Sequence, residues 1–583
     1  MAHALRTHDL DDADLVERNL NGLWISCILD QLEAAGVHRA VACPGGRSAA
    51  MLLAMGRRAA FGEVLISVDE RSGAYTALGM IKATGAPAAI VTTSGSAVAN
   101  LVPALTEADE CGLPLVVITC DRPRNLRHTG FGQMIDHLGA CQSFVRASVD
   151  LPDPVDDAAA IAELKQSVAR VLAQRNGPRP GPIHINIPFA GRYESTEPGA
   201  ISPTAIREAR RPAFFHASPI PEENQIDLLI DRLRLRSGMK GLIVAGPECA
   251  VPTAQLAEFA AQTGFPVLAD TASGLRGSGL AHVLSGFDSL GAADSAGLGA
   301  PELVIRLGLA PVMPAVQDYL LAHPCLTVKI SRTAQERDYL HPAYSALVNP
   351  SEAELQRLGA ALACGNPLWR ETWCAVAARG ARLRRAVVER LPWGEVPAAS
   401  EIFQHRGFEF LHLGNSMPIR HADFFYENRA DRQPVYSNRG VWGIDGTLGT
   451  FLGEAAATGQ SGLLVLGDLA FIHDLPALAN AQRHRRPACV CVINNSGGAI
   501  FDFLPMSNLP DYRRAVSNPY QIDIGMAAAA FGLRYHRCEN RAALREALDA
   551  AAAYDGFTIV EAAVPAGSAA LGLQHIGLAL RRG

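Results

Sequence analysis

Short aliphatic runs alternate along the chain with longer amphipathic stretches. In the first third these runs end in small or turn residues, and they occupy residues 39–46, 64–70, 87–95, 113–123 and 182–188. Runs that are apolar throughout, separated by segments long enough for a helix, are typical of strands in a parallel sheet covered on both faces. The first third therefore predicts a doubly wound α/β domain.

The same rhythm returns in the middle and in the last third of the chain. The further runs occupy residues 241–248, 265–274, 302–308, 326–331, 408–416, 434–440, 462–471, 488–495 and 557–564. A segment rich in Pro, Ser and charge, 191–223, is typical of a linker, and 392–400 marks another joint. We therefore predict three doubly wound parallel-sheet domains, over residues 1–195, 215–365 and 395–583. The first and last share a strand rhythm that suggests related folds.

Composition and charge exclude several classes of partner. The 583 residues are 49% hydrophobic and 19% charged, with a net charge of −6, so nothing favours a nucleic-acid or membrane partner. Twelve scattered cysteines include no CxxC pair, which favours buried thiols over disulfides. The acid-rich N-terminus lacks an apolar leader region, and no run of about 18 apolar residues follows. We expect a cytoplasmic protein.

Polar residues that follow two runs of the last third indicate a cation site. Asp468 ends one predicted strand, and Asn495, 27 residues later, ends the next. Since ligands of open α/β sheets bind at the carboxyl ends of the strands, a carboxylate, an amide oxygen and a loop carbonyl are expected to converge there. Such oxygens suit Mg²⁺. Taken alone, Gly467-Asp468 or Asn494-Asn495 more often marks an ordinary turn. The spacing of the two pairs and their flanking strands together favour the cation site.

This pair of motifs resembles the metal-binding segment of the thiamin-diphosphate enzymes, which begins with Gly-Asp and ends with Asn-Asn. The resemblance implies that Asp468, Asn495 and the backbone carbonyl of Gly497 bind Mg²⁺, which in turn anchors thiamin diphosphate. Leu469 departs from the commonest form of the motif, which has Gly at this position. The three domains would then be pyrimidine-binding, middle and diphosphate-binding domains.

The resemblance also assigns two residues to the thiamin ring system. Glu70 ends the predicted strand 64–70, and the family places there a glutamate that shares a proton with the aminopyrimidine. Ile444 matches the bulky apolar residue that holds thiamin in its bent form. Taken alone, Glu70 is more often a solvated surface acid, and Ile444 an ordinary core residue, so both roles depend on the accompanying motifs.

Longer segments extend the likeness over most of the chain to one branch, the 2-succinyl-5-enolpyruvyl-6-hydroxy-3-cyclohexene-1-carboxylate (SEPHCHC) synthase family of menaquinone biosynthesis. The most specific are YSNRGVWGIDG (436–446) and NNSGGAIFDFLP (494–505). That family decarboxylates 2-oxoglutarate and adds the resulting four-carbon carbanion equivalent to isochorismate. Its sites lie between subunits. The resemblance therefore implies a carbon–carbon bond-forming transferase that is a homodimer or homotetramer.

Both substrates of that reaction are dianions, and the planar fork of Arg is suited to binding carboxylates. The residues that the resemblance assigns to the donor and its adduct are Ser416, Arg420 and Arg439. Those that it assigns to the acceptor are Arg47, Arg122 and Gln133, with an apolar wall of Ile500, Phe501 and Leu504. Without the motifs, a surface salt bridge is an equally good interpretation of any one of these arginines.

Several departures from the family pattern keep other functions open. Polar residues usual in the family are replaced at Gly46, Gly132, Pro314, Ser496 and Ala499. A hydrogen bond lost to a charged group costs about 1.5–3 kcal/mol, so a related thiamin-dependent decarboxylase or carboligase with another acceptor is an alternative. A second alternative is a catalytically silent subunit with a thiamin-enzyme fold, although the presence of Glu70, Asp468 and Asn495 argues against it. Nothing marks a flavin site, and the glycines of 440–449 lack the GxGxxG spacing of a nicotinamide site.

Overall fold

The computed structural model describes most of the chain. The described residues are 20–177, 179–189, 201–211, 225–249, 251–278, 280, 283–286, 297–331, 340, 345–428, 433–517 and 522–582. Two compact units are formed, Met1–Pro219 with Leu452–Ala457 and Ile220–Phe451 with Thr458–Gly583. Within the described ranges, no helix combines the length and the apolar character needed to cross a membrane. Most of the predicted linker, 191–200 and 212–223, lies outside these ranges.

The first sheet has six parallel strands. They are β1 (Arg39–Ala42), β2 (Leu65–Ile66), β3 (Ala88–Thr92), β4 (Leu115–Asp121), β5 (Ser148–Asp150) and β6 (Ile183–Pro188), in the order β2-β1-β3-β4-β6-β5. The α-helices of this part are Leu20–Ala34, Ala49–Arg57, Glu70–Thr84, Ser96–Ala99, Val102–Cys111, His137–Cys141, Ala158–Gln174 and Pro203–Ala209. Ala89 and Val91 join one buried apolar cluster, whereas Ala88 and Ile90 of the same strand join another. The sheet is therefore covered on both faces, as the continuous apolar runs predict.

Two local expectations for the first third were wrong. The predicted strand 64–70 ends at Ile66, because the Asp69 side chain accepts a hydrogen bond from the Ser72 N–H and caps a helix. Glu70 is therefore the first residue of that helix. In addition, the part of the predicted linker at Pro203–Ala209 is helical, and its buried Ala205 and Ala209 belong to the first core.

The middle domain has a second parallel sheet. Its strands are β7 (Gly241–Ala245), β8 (Val267–Ala269), β9 (Val283–Leu284), β10 (Leu303–Leu307), β11 (Leu326–Ser331) and β12 (Ser345–Val348), in the order β12-β11-β10-β7-β8-β9. Its helices are Gln225–Leu233, Thr253–Thr263, Pro314–Ala322, Glu352–Ala361 and Pro367–Arg390. The last of these is the basic helical stretch that leads into the final third.

The third sheet repeats the topology of the first. Its strands are β13 (Phe410–Leu413), β14 (Val435–Ser437), β15 (Gly462–Gly467), β16 (Ala488–Asn494), β17 (Arg534–Cys538) and β18 (Phe557–Ala563), all parallel in the order β14-β13-β15-β16-β18-β17. The accompanying helices are Glu395–Gln404, Met417–Phe425, Thr447–Thr458, Asp468–His473, Leu478–Ala481, Ile524–Ala530, Arg541–Ala552 and Ser568–Arg582. The matching strand order confirms that the shared rhythm of the first and last thirds reflects related folds.

A buried arginine joins the middle domain to the third sheet. Arg276 is 1% exposed and donates from Nη1 to the carbonyl of Asp423, at 2.7 Å, and from Nε to that of Ala269, at 2.6 Å. In return, the Asp423 carboxylate accepts the N–H of Thr271 at 2.6 Å. A buried guanidinium that loses its hydrogen-bond partners is costly. The contact therefore holds the helix Met417–Phe425 in a defined place beside β13.

Candidate active site

A cavity with about 570 Å³ of free space, part of it open to solvent, lies at the carboxyl edge of the third sheet. The order in which successive strands are added to the sheet reverses there, since β14 lies on one side of β13 and β15 on the other. Such a switch point leaves a crevice beyond the strand ends, which is where open α/β sheets bind ligands. The site residues predicted from the sequence that line it are Ser416, Ile444, Asp468, Asn495, Gly497, Ile500 and Phe501. Seven separate sequence positions are thus brought to one place by the fold.

Asp468 is the first residue of the helix after β15, and its carboxylate accepts a hydrogen bond from the loop that follows β16. One oxygen accepts the N–H of Gly497 and the other that of Leu469, both at 2.8 Å. The side chain is buried, and burial raises the pKa of Asp468 to about 6. A desolvated carboxylate with so raised a pKa is stabilised by a cation placed beside it.

Asn495 presents a second oxygen to the cavity. Its Nδ2 donates to Oε2 of Glu395 at 2.8 Å, which fixes the orientation of the amide. Its Oδ1 is buried and, among the described residues, has no hydrogen-bond partner. Such an oxygen is costly to bury unless a ligand satisfies it. Together with the Asp468 carboxylate, this donor set fits a hard, oxygen-coordinated cation such as Mg²⁺.

Glu395 was not among the residues predicted from the sequence. It lies in the first turn of the helix Glu395–Gln404, is 1% exposed, and also contacts His421 Nε2 through Oε1 at 2.9 Å. It is 100 residues from Asn495, so no local motif connects the two. The one available signal was an acid in the predicted joint 392–400.

Asn415, which follows β13, organises the loop that carries Arg439 and Ile444. Its Nδ2 donates to the carbonyls of Asn438 and Gly443, at 2.7 and 2.6 Å, and its Oδ1 accepts Nη1 of Arg439 at 2.7 Å. The Arg439 guanidinium is buried and lies 4.4 Å from the centre of the Trp442 ring. Sequence reasoning also missed Asn415, although it directly precedes the predicted site residue Ser416.

Ser416 and Arg420 come together at the start of the helix Met417–Phe425. Ser416 has a left-handed backbone, with φ 72°, and lines the cavity. Arg420 Nη1 donates to the Ser416 carbonyl at 2.6 Å. Burial lowers the pKa of the Arg420 guanidinium below its ordinary value, where it still remains charged. The two arginines predicted to bind the donor substrate thus contact residues of the cavity wall. Arg420 contacts Ser416, and Arg439 contacts Asn415.

The expected apolar wall is only partly at the cavity. Ile500 and Phe501 line it, whereas Leu504 does not and has 38% of its side chain exposed. Phe501 is itself 37% exposed. The described residues of this unit therefore leave one side of the apolar wall open.

The predicted site residues of the first domain form a separate set. Glu70 Oε2 accepts a hydrogen bond from Asn100 Nδ2 at 3.4 Å. Arg122 Nη2 lies 3.5 Å from Gln133 Oε1, and its guanidinium lies 4.8 Å from the Phe131 ring centre. Arg122 and Gln133 are therefore neighbours.

Arg47 reaches the same edge of the first sheet from β1. Its Nη1 donates to the carbonyl of Phe189 at 3.3 Å, and the Phe189 N–H in turn donates to the carbonyl of Asp121, next to Arg122. Phe189, which follows β6, thus connects Arg47 to the end of β4.

Two family models match the chain, and both are described as "Thiamine pyrophosphate enzyme". Thiamine pyrophosphate is another name for thiamin diphosphate. The N-terminal TPP binding domain matches residues 26–140 and the C-terminal one residues 425–562. A curated relative from Halobacterium salinarum, a 2-succinyl-5-enolpyruvyl-6-hydroxy-3-cyclohexene-1-carboxylate synthase, is 34% identical over 570 residues, which cover 94% of this chain and 96% of the relative. The chain belongs to the SEPHCHC synthase family.

Other SEPHCHC synthases give the same picture. The synthase of Roseiflexus castenholzii is 32% identical over 560 residues, covering 93% of this chain and 96% of its own, and that of Chloroflexus aurantiacus is 33% identical over 558, covering 90% and 91%. The chain is therefore a thiamin-diphosphate enzyme. The predicted resemblance and the α/β fold class with N- and C-terminal thiamin domains are confirmed.

The five positions that depart from the usual SEPHCHC synthase residues differ in their burial and surroundings. Ala499 is 7% exposed and lines the cavity, whereas Ser496 is exposed. A Cβ on Gly132 would meet nothing within 4 Å, so the chain has open space beside Gln133. Pro314 is the first residue of a helix, a position that suits Pro. Gly46 is exposed.

Proposed function

We propose that this SEPHCHC synthase family member binds Mg²⁺ with thiamin diphosphate, decarboxylates 2-oxoglutarate and adds the four-carbon unit to isochorismate. The observation that carries the proposal is the cavity at the switch point of the third sheet, which joins two oxygen donors to a wall backed by two arginines. A mononuclear oxygen site alone fits many enzymes. The adjoining guanidinium groups favour substrates with carboxylates.

In this proposal Asp468, Asn495 Oδ1 and the Gly497 carbonyl hold Mg²⁺, whose remaining ligands come from the diphosphate and water. Glu395 keeps the amide oxygen of Asn495 turned toward the metal, because Nδ2 is held by its carboxylate. Ile444 contributes an apolar surface to the same cavity. The chain's own contribution is thus a preorganised cradle for the cofactor.

Thiamin diphosphate, when bound, supplies the carbon nucleophile and the electron sink that decarboxylation of a 2-oxoacid needs. Glu70 holds and returns the proton of the aminopyrimidine nitrogen at its carboxyl group. Asn100, which donates to Oε2, orients that carboxyl group. Arg420 and Arg439 neutralise the donor carboxylates, and Ser416 orients the 2-oxo acid at the cavity wall.

Recognition of the acceptor is assigned to the first-domain set and to the apolar wall. Arg47, Arg122 and Gln133 would bind its carboxylates and hydroxyl, with Ile500, Phe501 and Leu504 against its ring. We further propose a homodimer or homotetramer, which light scattering of the purified protein tests. A different acceptor is the second candidate, since Gly132, next to Gln133, lacks the polar side chain usual in the family.

The deciding experiment supplies purified protein with Mg²⁺, thiamin diphosphate and 2-oxoglutarate, with and without isochorismate, and identifies the products by mass spectrometry. We expect SEPHCHC with isochorismate and slow release of CO₂ without it. Carbon dioxide without a coupled product would favour another acceptor. Failure to bind thiamin diphosphate in a calorimetric titration would favour a silent subunit, and unchanged activity after chelation of divalent cations would refute the metal assignment.

A further inference from the structure

Asn186 on β6 is the centre of a buried polar network in the first domain. It is 0% exposed, and every hydrogen-bonding position of its amide is used. Its Oδ1 accepts from Thr119 Oγ1 at 2.7 Å and from His137 Nδ1 at 2.9 Å. Its Nδ2 donates to Asp121 Oδ2 at 3.1 Å and to Asp150 Oδ1 at 2.8 Å. Such a saturated buried amide holds four chain segments in one geometry.

The two carboxylates decide which way this amide points. If it were flipped, the amide oxygen would face Asp121 and Asp150, and acceptors would oppose acceptors. With the amide oriented as it is, His137 donates from Nδ1 and keeps Nε2 as an acceptor. That Nε2 accepts the Gly95 N–H at 3.3 Å. The carboxylates therefore set the histidine tautomer through Asn186.

One arm of the network ends at Gln133. Gly95 follows Ser94, whose carbonyl accepts Gln133 Nε2 at 3.1 Å. Gly95 has φ +83°, and a Cβ there would lie 2.7 Å from Gln133 Cγ. Gln133 has a left-handed backbone with φ 60°. Two adjoining segments in sparsely populated conformations persist only where their surroundings over-determine them, and the bond to His137 supplies such a constraint.

The other arm ends at Arg122. Asp121 Oδ2 accepts from Asn186, while Oδ1 accepts the Arg122 N–H at 2.7 Å. Arg127 also donates to Oδ2, at 3.0 Å, so the Asp121 carboxylate is held from both sides. The Arg122 and Gln133 side chains then meet at 3.5 Å. Asn186 is thus connected by separate routes to both members of one pair.

We propose that Asn186 and His137 are positioning residues that set the spacing of Arg122 and Gln133 and thereby the affinity for the acceptor's carboxylate and hydroxyl. This inference rests on the proposed function in assigning that pair to the acceptor. Both side chains are buried, at 0% and 1% exposed, and they reach the pair through Asp121 and Gly95. A misplacement of a binding group by about 1 Å costs up to roughly 100-fold, so the effect is measurable.

The test compares the intact enzyme with four variants. His137→Asn places its Nδ2 where Nδ1 lies, so it keeps the bond to Asn186 and loses the acceptor for Gly95. His137→Gln reaches the position of Nε2 and should restore that acceptor. Thr119→Val is the control, since it removes a hydrogen bond to the same Asn186 oxygen, and one to His184, without touching either arm. Asn186→Asp is the direct variant where it folds.

We expect His137→Asn to raise the KM for isochorismate about tenfold or more, while CO₂ release from 2-oxoglutarate alone and its KM stay within about twofold. His137→Gln should recover part of the affinity, because it regains the acceptor for Gly95 but lacks the donor to Asn186. Thr119→Val should leave the isochorismate KM unchanged even if it lowers the melting temperature. Equal effects on donor and acceptor, or an equal effect of Thr119→Val, would overturn the inference.

Hydrogen exchange of the segment 93–97 keeps the result independent of the acceptor's identity. Faster exchange at Gly95 in His137→Asn, but not in Thr119→Val, supports the proposed arm even if the wild type proves to use another acceptor. Unchanged exchange at Gly95 in His137→Asn would overturn it. Failure of the wild type to couple isochorismate refutes the proposed function instead, so the two failures are distinguishable.

Discussion

Replacing Glu395 with methionine should weaken the binding of Mg²⁺ and thiamin diphosphate without a direct change to any proposed ligand. Glu395 Oε2 accepts Nδ2 of Asn495 at 2.8 Å, and this bond keeps Asn495 Oδ1 turned into the cavity. Methionine has a similar volume but cannot accept that hydrogen bond. The amide is then free to turn its NH₂ group toward the cation, which cannot bind it.

The size of the effect follows from the kind of bond removed. A hydrogen bond to a charged group contributes about 1.5–3 kcal/mol, which corresponds to roughly 10- to 150-fold in the apparent dissociation constant. Glu395→Gln retains an amide oxygen for Asn495 Nδ2 and should lose less. Isothermal titration of thiamin diphosphate at fixed Mg²⁺, and of Mg²⁺ at fixed thiamin diphosphate, measures both constants.

The chain offers a matched control one residue away. Asn494 Nδ2 donates to Glu561 Oε1, also at 2.8 Å, but Asn494 does not line the cavity. Glu561→Met therefore removes the same type of bond with a similar cost to the fold. The reasoning is refuted if Glu395→Met folds, by circular dichroism and thermal unfolding, and binds cofactor as the wild type does, or if both methionine variants weaken binding equally.

Three further predictions concern the proposed chemistry. Glu70→Gln should lower turnover by about 100-fold or more with thiamin diphosphate still bound in a titration, and near-normal turnover would contradict the proton-transfer role. Because burial raises the pKa of Asp468 to about 6, the Mg²⁺ concentration for half-saturation should be flat above that pH and rise about tenfold per unit below it; a pH-independent wild type, or an Asp468→Asn variant that binds normally, would contradict this. Arg439→Lys loses the planar fork that stacks on Trp442, and the KM for 2-oxoglutarate in a CO₂-release assay should rise about tenfold, whereas an unchanged KM would remove Arg439 from donor binding.

The central strands could be predicted from the sequence because both of their faces are buried. Every predicted run became a strand, and β3 and β4 are apolar at nearly every position. The strands that escaped prediction are β5, β9, β12 and β17, and each lies at the edge of its sheet. An edge strand has one unpaired side and a partly solvated face, so its sequence need not be apolar. The run RYHRC of β17 is an example, with burial at only its last residue.

Some residues of the candidate site could be predicted from the sequence and others could not. Motifs at strand ends indicated Asp468 and Asn495, because such positions point to the binding edge whatever the details of packing. Glu395 and Asn415 hold ligands or arginines through side-chain contacts, and no spacing rule connects Glu395 to a residue 100 positions later. Glu70 shows the converse, since a capping bond from Asp69 moved it from an expected strand end to a helix start.

The sequence by itself determined the three-domain α/β class, the family and the positions of the chemical groups, because these depend on local apolar patterning and on short motifs. Only the tertiary structure decided how those groups are oriented. Amide orientation at Asn495, the histidine tautomer at His137 and the placement of Arg439 all follow from buried partners distant in the chain. A hydrogen bond has a direction as well as a distance, and direction is set where separate elements meet.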